Sequence, residues 1–203
     1  MQKTIQDLLS PLGITELTPI QNDVLNNYRD YDEVILYSPT GSGKTLAFLL
    51  PLVELLSERI IENDLQAIIL SPTRELAIQI EAVFKSLKTD FSITACYGGH
   101  SVKTEVNNLA ANPNIVVGTP GRIADHLNRR NLFLRNTPFL LVDEFDKCLE
   151  LGFHEEIEHI YGQMRNVEKS FYGSATRIDK FPSFLSLKNP VYLDQIIEEK
   201  QPD

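Results

Sequence analysis

Runs of consecutive apolar residues recur along the chain, as in Ala67-Ile68-Ile69-Leu70. Unbroken apolar runs suit strands buried on both faces, hence a parallel sheet, whereas a half-exposed strand would alternate. This pattern predicts strands at Val34–Tyr37, Ala67–Ser71, Ser92–Tyr97, Ile115–Val117, Phe139–Val142, Ser170–Tyr172 and Val191–Leu193. Between them, apolar residues return every three or four positions, the spacing of one helix face. Helices are predicted at Lys44–Ser57, Arg74–Leu87, Val102–Leu109, Arg122–Leu127, Leu149–Met164 and Ile178–Leu185, with a short one over Ile5–Leu12. Strands alternating with helices imply an α/β fold, a mostly parallel sheet with helices on both faces. The crossovers are expected to be right-handed.

Composition narrows the class. The chain has 203 residues, 42% hydrophobic and 23% charged, enough to bury a core without disulfides or metals. One domain is the default reading, and two would be small. No run approaches the roughly 18 apolar residues of a membrane span, so no membrane partner is expected. Met1–Ser10 lacks both a basic segment and an apolar one, so no secretion signal is read there. Two cysteines, Cys96 and Cys148, supply neither a disulfide framework nor a four-ligand zinc site. A reducing, cytoplasmic setting is the simplest reading. The net charge of −9 opposes nonspecific grip on a polyanion, so any nucleic acid must be held by a local patch, backbone amides or helix N-termini. Nothing calls for an obligate oligomer, and a monomer is expected.

Candidate chemistry begins after the first strand. Val34–Tyr37 runs into Ser38-Pro39-Thr40-Gly41-Ser42-Gly43-Lys44-Thr45, and a helix pattern follows at once. Strand, glycine loop and helix in that order make a phosphate-binding loop, although Ser38 stands where such loops usually begin with Gly. The glycines let successive amides point at phosphate oxygens, and the helix N-terminus adds positive charge. Lys44 is positioned to reach the terminal phosphates of a nucleotide, and Thr45 to ligate Mg²⁺.

A second motif follows the apolar strand Phe139–Val142, where Asp143-Glu144 stand at its C-terminal end. Ligands of open α/β sheets bind outside that end of the strands. Alone, the two acids read as solvated residues after a strand. About 100 residues downstream of a phosphate loop, they read as catalytic: Asp143 holding Mg²⁺, partly through water, and Glu144 orienting or deprotonating the attacking water.

These two motifs bring out a resemblance. The chain resembles the N-terminal RecA-like domain of DEAD-box ATP-dependent RNA helicases, from Gly13 to about Leu193. Gly13-Ile14-Thr15-Glu16-Leu17-Thr18-Pro19-Ile20-Gln21 is similar to the Q motif, which implies that Gln21 reads adenine. Pro72-Thr73-Arg74-Glu75-Leu76-Ala77 is similar to motif Ia, Gly98-Gly99 to the glycine doublet and Thr119-Pro120-Gly121-Arg122 to motif Ib. The resemblance implies that Pro72, Thr73, Arg74, Gly98, Gly99, Thr119, Pro120, Gly121 and Arg122 hold the RNA backbone without reading sequence. Ser174-Ala175-Thr176 is similar to motif III, whose hydroxyls are expected on Asp146, coupling ATP hydrolysis to strand separation. ATP and Mg²⁺ are the implied cofactors.

The departures are specific. Motif II reads Asp-Glu-Phe-Asp, with Phe145 where Ala is usual. Ile14 replaces an aromatic and Leu17 a common Pro, and no aromatic precedes Tyr28. The implied organisation is a Q-motif segment with an N-terminal helix over 1–26, the ATP-binding domain over 27–195 and the start of an interdomain linker over 196–203. The second RecA-like domain, with its arginine fingers, is the expected partner, and this domain alone is expected to be nearly inactive. A competing reading is a nucleotide-gated clamp on RNA or protein with little turnover. A distant one is another P-loop enzyme, such as a small kinase.

The remaining candidates read as structural. His100, His126, His154 and His159 are scattered without a second ligand set beside any of them. Cys148 reads as a core residue, and Glu54, Glu58 and Glu62 as a solvated helix face.

Overall fold

The computed structural model describes residues 4–59, 65–99 and 102–196. Every predicted strand is present: β1 (Glu33–Tyr37), β2 (Ala67–Leu70), β3 (Ile93–Cys96), β4 (Ile115–Gly118), β5 (Phe139–Val142), β6 (Lys169–Ser174) and β7 (Pro190–Asp194). They form one sheet in the order β3-β4-β2-β5-β6-β1-β7, and every pairing is parallel.

The apolar runs follow from burial on both faces. Within β1, Val34 and Leu36 enter one core and Ile35 the other. On the first face, α2 (Pro19–Asn27), α3 (Lys44–Ser57) and α4 (Arg74–Ser86) contribute Val24, Phe48, Leu49, Ile80 and Phe84. On the second, α6 (Pro120–Asn128), α7 (Phe145–Glu150) and α8 (His154–Gln163) contribute Ile123, Phe145, Cys148, Ile157 and Ile160. The short α1 (Ile5–Leu9), capped by Thr4, adds Leu8 and Leu9 to the first core. Helix α5 (Val102–Ala110) joins β3 to β4.

Register positions the site. Leu70 lies opposite both Gly118 and Val142, and Tyr37 opposite Ser174. The segments leaving β1, β2, β4, β5 and β6 therefore emerge along a single sheet edge.

Two predicted helices differ. Leu149–Met164 is two helices, because Gly152 turns the chain at φ 83° between α7 and α8. Helix α7 also starts earlier, at Phe145. Ile178–Leu185 contains only a 3₁₀ turn at Ser183–Leu185. Pro182 has no amide hydrogen for a helix and disfavours helical geometry at Phe181, which packs on aromatic neighbours instead. The described members of the acidic series lie at the surface, Glu58 exposed and Glu54 half-buried, and both have partners there. Glu54 accepts from the Tyr28 hydroxyl, and Arg29 pairs with Glu54 and Glu58. Glu62, His100 and the linker residues 197–203 lie outside the described residues. No helix is long and apolar enough to cross a membrane, among the described residues.

Candidate functional site

Strand β1 delivers the glycine loop 38–43 to the sheet edge. The Ser38 amide continues the ladder by donating to the Ser174 carbonyl at 3.0 Å. The loop then curls through Gly41 (φ 82°) and Gly43 (φ 94°), and α3 starts at Lys44. A side chain on Gly43 would lie 2.9 Å from Gln21 Nε2, so the absence of one lets Gln21 pack on the loop. Gln21 is 3% exposed. Its Oε1 accepts from the Thr18 amide at 2.9 Å while its own amide donates to Thr18 Oγ1 at 3.4 Å. This reciprocal cap fixes the N-terminus of α2 against the loop.

Lys44 is buried, and its Nζ donates to the carbonyls of Ser38 and Pro39 at 2.5 and 2.7 Å. Burial pulls its pKa down, opposed by the charges of Asp143, Glu144 and Asp146. Thr45 Oγ1 donates to Asp143 Oδ2 at 2.8 Å. Asp143 Oδ1 accepts from the Glu144 amide at 3.0 Å. Burial raises the Asp143 carboxyl above its usual range, opposed by those two bonds and by Lys44. Glu144 is also raised, first by burial and then by the charge of Asp143. Its backbone is left-handed (φ 48°, ψ 52°), a costly conformation for a residue with a side chain. Gly173 leaves room here, since a Cβ on it would stand 3.1 Å from Asp143 Oδ1 and 2.8 Å from the Phe48 ring.

A cleft of about 480 Å³ runs beside these groups. Thr40, Gly41, Gly43, Lys44, Thr45, Asp143 and Glu144 line it. Ile14 lines it too, the residue that replaces an aromatic. Leu12, Leu76, Gln79 and Val83 also line it, and no sequence motif had marked the last two as site residues. Val83 belongs to the apolar spacing of α4, whereas Gln79 is exposed and carried no such signal.

Asp146 lies in the first turn of α7. Its Oδ2 accepts from the Ala175 amide (3.2 Å), the Thr176 amide (3.1 Å) and Thr176 Oγ1 (3.0 Å). The expectation that both motif III hydroxyls reach Asp146 is only half met. Ser174 Oγ instead donates to the Thr176 carbonyl at 2.5 Å, bracing the turn from inside. Phe145 is fully buried beside Tyr172 and Phe181, with ring centroids at 5.4 and 5.5 Å. Its bulk thus enters the second core and leaves the acidic side chains in place.

Farther along the edge, Thr73 caps α4 by accepting from the Leu76 amide at 3.2 Å, and Ser71 Oγ donates to the Thr73 carbonyl. Arg74 stands against Gly99: a Cβ there would come within 2.9 Å of Arg74 Nη1. Thr119 is the N-cap of α6, followed by Pro120 and Gly121 in the first turn. Arg122 departs from expectation. It does not face the edge but turns inward, Nε donating to Glu105 Oε2 at 2.6 Å and Nη1 to Asp125 at 3.3 Å. Glu105 is fully buried, and its Oε1 accepts from the Tyr97 amide just before Gly98. His126, also fully buried, shares Glu105 Oε2 at 2.6 Å. His126 therefore does have potential ligands beside it, since Cys96, Glu105 and His126 bring ligand atoms within 4.8 Å of one another. Arg122 already matches the carboxylate charge, so the group serves as a buried tie joining β3, α5 and α6.

A parallel sheet carrying these groups along one edge defines a RecA-like nucleotide-binding domain. The family model for DEAD/DEAH box helicases matches residues 18–183, and the chain belongs to that family. It is 38% identical over 181 residues to the ATP-dependent RNA helicase CshA of Listeria monocytogenes, covering 88% of this chain and 34% of that one. It is 41% identical over 167 residues to a probable ATP-dependent RNA helicase of Methanocaldococcus jannaschii, covering 81% and 44%. The chain thus spans less than half the length of these relatives. Among solved structures it is similar to the DEAD-box helicase Mss116 bound to ssRNA and UDP-BeF, with a TM-score of 0.84, 30% identity, and coverage of 98% of this chain and 44% of that one. A DEAD box protein from Methanococcus jannaschii gives a TM-score of 0.81 and 32% identity, covering 96% and 54%.

Proposed function

We propose that this chain is the first RecA-like domain of an ATP-dependent RNA helicase, binding ATP with Mg²⁺ and the backbone of single-stranded RNA. One observation carries the reading: Asp143 and Asp146, three residues apart, hold Thr45 of the glycine loop and Ala175-Thr176 after β6. The nucleotide loop and the segment leading toward the RNA edge are thereby tied to one acidic motif. The residues fit the implied groups. Ser42 Oγ and Asp146 Oδ1 are buried without a hydrogen-bond partner among the described residues, and Gly41 and Gly43 open the cradle.

In this reading the loop amides of 39–45 and Lys44 hold the phosphates, and Gln21 borders the adenine side. Thr45 and Asp143 would hold Mg²⁺, which supplies charge neutralisation on the phosphates when bound. Glu144 accepts a proton from water at its carboxylate, and its burial makes it the stronger base. Thr73, Arg74, Gly98, Gly99, Thr119, Pro120 and Gly121 present hydroxyls, amides and one guanidinium to an RNA backbone. Arg122 acts from behind, through Glu105. A second RecA-like domain completes the site, because the transition-state charge needs an arginine placed opposite Lys44. The buried, unbridged Cys96 and Cys148 support a cytoplasmic setting.

The test is ATP turnover by the longer protein, with and without single-stranded RNA, with Glu144→Gln as control. Turnover that rises with RNA and vanishes in the control is the expected result. Nucleotide-dependent RNA binding without turnover would overturn the catalytic part of the reading.

A further inference from the structure

The loop between α6 and β5 lies at the opposite end of the strands from the nucleotide edge, because it enters β5 at Phe139. Its sequence is Arg129-Arg130-Asn131-Leu132-Phe133-Leu134-Arg135. Leu132 and Leu134 are buried, at 6% and 1% exposure, and fix the loop to the second core. Phe133, between them, points outward at 72% exposure, the most exposed large apolar side chain among the described residues. It walls a cleft of about 400 Å³, with Leu127 and Leu132 on the apolar side.

Three arginines border the same cleft: Arg130, Arg135 and Arg165. All three are exposed, and among the described residues none of their guanidinium groups makes an ion pair or hydrogen bond. Arg129 is different, being paired with Asp125 at 2.7 Å. Unpaired arginines are conspicuous on a chain with 28 acidic and 19 basic residues. Arg130 also holds φ at 60°, which glycine adopts without strain. A charge is thus kept at the cleft in a conformation unfavourable to it.

We propose that this cleft is a docking site for a short acidic segment of a partner protein, with an apolar side chain laid against Phe133 and carboxylates on the three arginines. An aromatic anchor ringed by arginines is the composition of an interface centre. A short peptide suits the charge better than RNA does. Glu158, one turn before Gly162 of the cleft wall on α8, is exposed, whereas Glu168, three residues after Arg165, is exposed but paired with Arg59. A polyanion running past the arginines meets the Glu158 charge, whereas a short segment does not.

The probe is a fluorescein-labelled peptide with four glutamates around a central Leu-Phe pair, titrated with this chain by fluorescence anisotropy. Saturable binding below about 100 µM is expected at low salt, weakening at least about tenfold by 0.3 M salt. Phe133→Ser and the double variant Arg135→Ser/Arg165→Ser are each expected to weaken it about tenfold or more. Arg130→Gly is expected to weaken it about threefold without lowering the melting temperature, so a folding defect does not explain the loss. The proposal is overturned by no saturable binding at about 1 mM, by unchanged affinity in the Phe133 variant, or by equal binding of a peptide with Ser-Ser for Leu-Phe. Tighter binding of a decauridine through the same arginines would overturn it too, assigning the cleft to single-stranded nucleic acid.

Discussion

The Thr176 hydroxyl meets Asp146 Oδ2 at 3.0 Å, across 30 residues of sequence. Two backbone amides converge on the same oxygen, so one carboxylate ties the exit of β6 to the first turn of α7. Thr176→Val removes one of the three donors and keeps the shape. Hydrogen bonds to charged groups are worth about 1.5–3 kcal/mol, and two donors remain, so a loss near the lower figure is expected in urea unfolding. ADP affinity should stay close to wild type while RNA stimulation of turnover in the longer protein falls. Equal losses in both would argue against a coupling role.

Glu144 carries its carboxylate on a left-handed backbone. Glu144→Gly should raise stability by about 1 kcal/mol, since glycine relieves that strain, and should abolish turnover. Thermal unfolding checks the first part. A variant less stable than wild type would show that Glu144 contributes more through contacts than it loses in strain.

Asp143 gives a pH signature. Burial raises its carboxyl above the ordinary 3.8, so the folded chain keeps this proton where the unfolded chain has released it. The group stabilises the fold below the ordinary carboxylate range, and that contribution is lost as pH rises through the raised value. At neutral pH the buried charge is a net cost. Asp143→Asn is therefore expected to be more stable than wild type at pH 7, with the difference shrinking as pH falls toward 4. A pH-independent difference in urea midpoint would refute the argument.

Phe145 separates stability from binding. Its ring is fully buried against Tyr172 and Phe181, so Phe145→Ala should cost about 3–5 kcal/mol. Because the ring faces the core and the acids face the cleft, ADP affinity of the folded variant should stay within about threefold of wild type. A tenfold loss on titration at low temperature would defeat that separation.

The strands β1 to β6 were legible because each is buried on both faces and short, whereas the longer apolar run Ala47–Val53 is buried helix within α3. The glycine loop and Asp143-Glu144 were legible because their chemistry is local in sequence. Ile178–Leu185 misled because its apolar spacing imitates a helix while Pro182 forbids one, and Phe181 meets Tyr172 edge-on instead. The inward turn of Arg122 was not legible at all. It depends on Glu105, 17 residues away and buried only once α5 folds over β3 and β4. Likewise, the Thr18/Gln21 cap was written in the sequence as Thr-x-x-Gln, but its contact with Gly43 exists only in three dimensions.

The strand order has a consequence for how the chain is made. Strand β1, which delivers the glycine loop, pairs only with β6 and β7, so Glu33 waits for Ser170 and Pro190. During synthesis, β2, β3, β4 and β5 emerge with neighbours that pair among themselves, while β1 stays an unpaired strand whose centre, Val34-Ile35-Leu36, is apolar. The glycine loop is thus held at its final place only after β6 and β7 have been translated, and nascent chains stalled before residue 169 should be both unable to bind nucleotide and the most prone to aggregate.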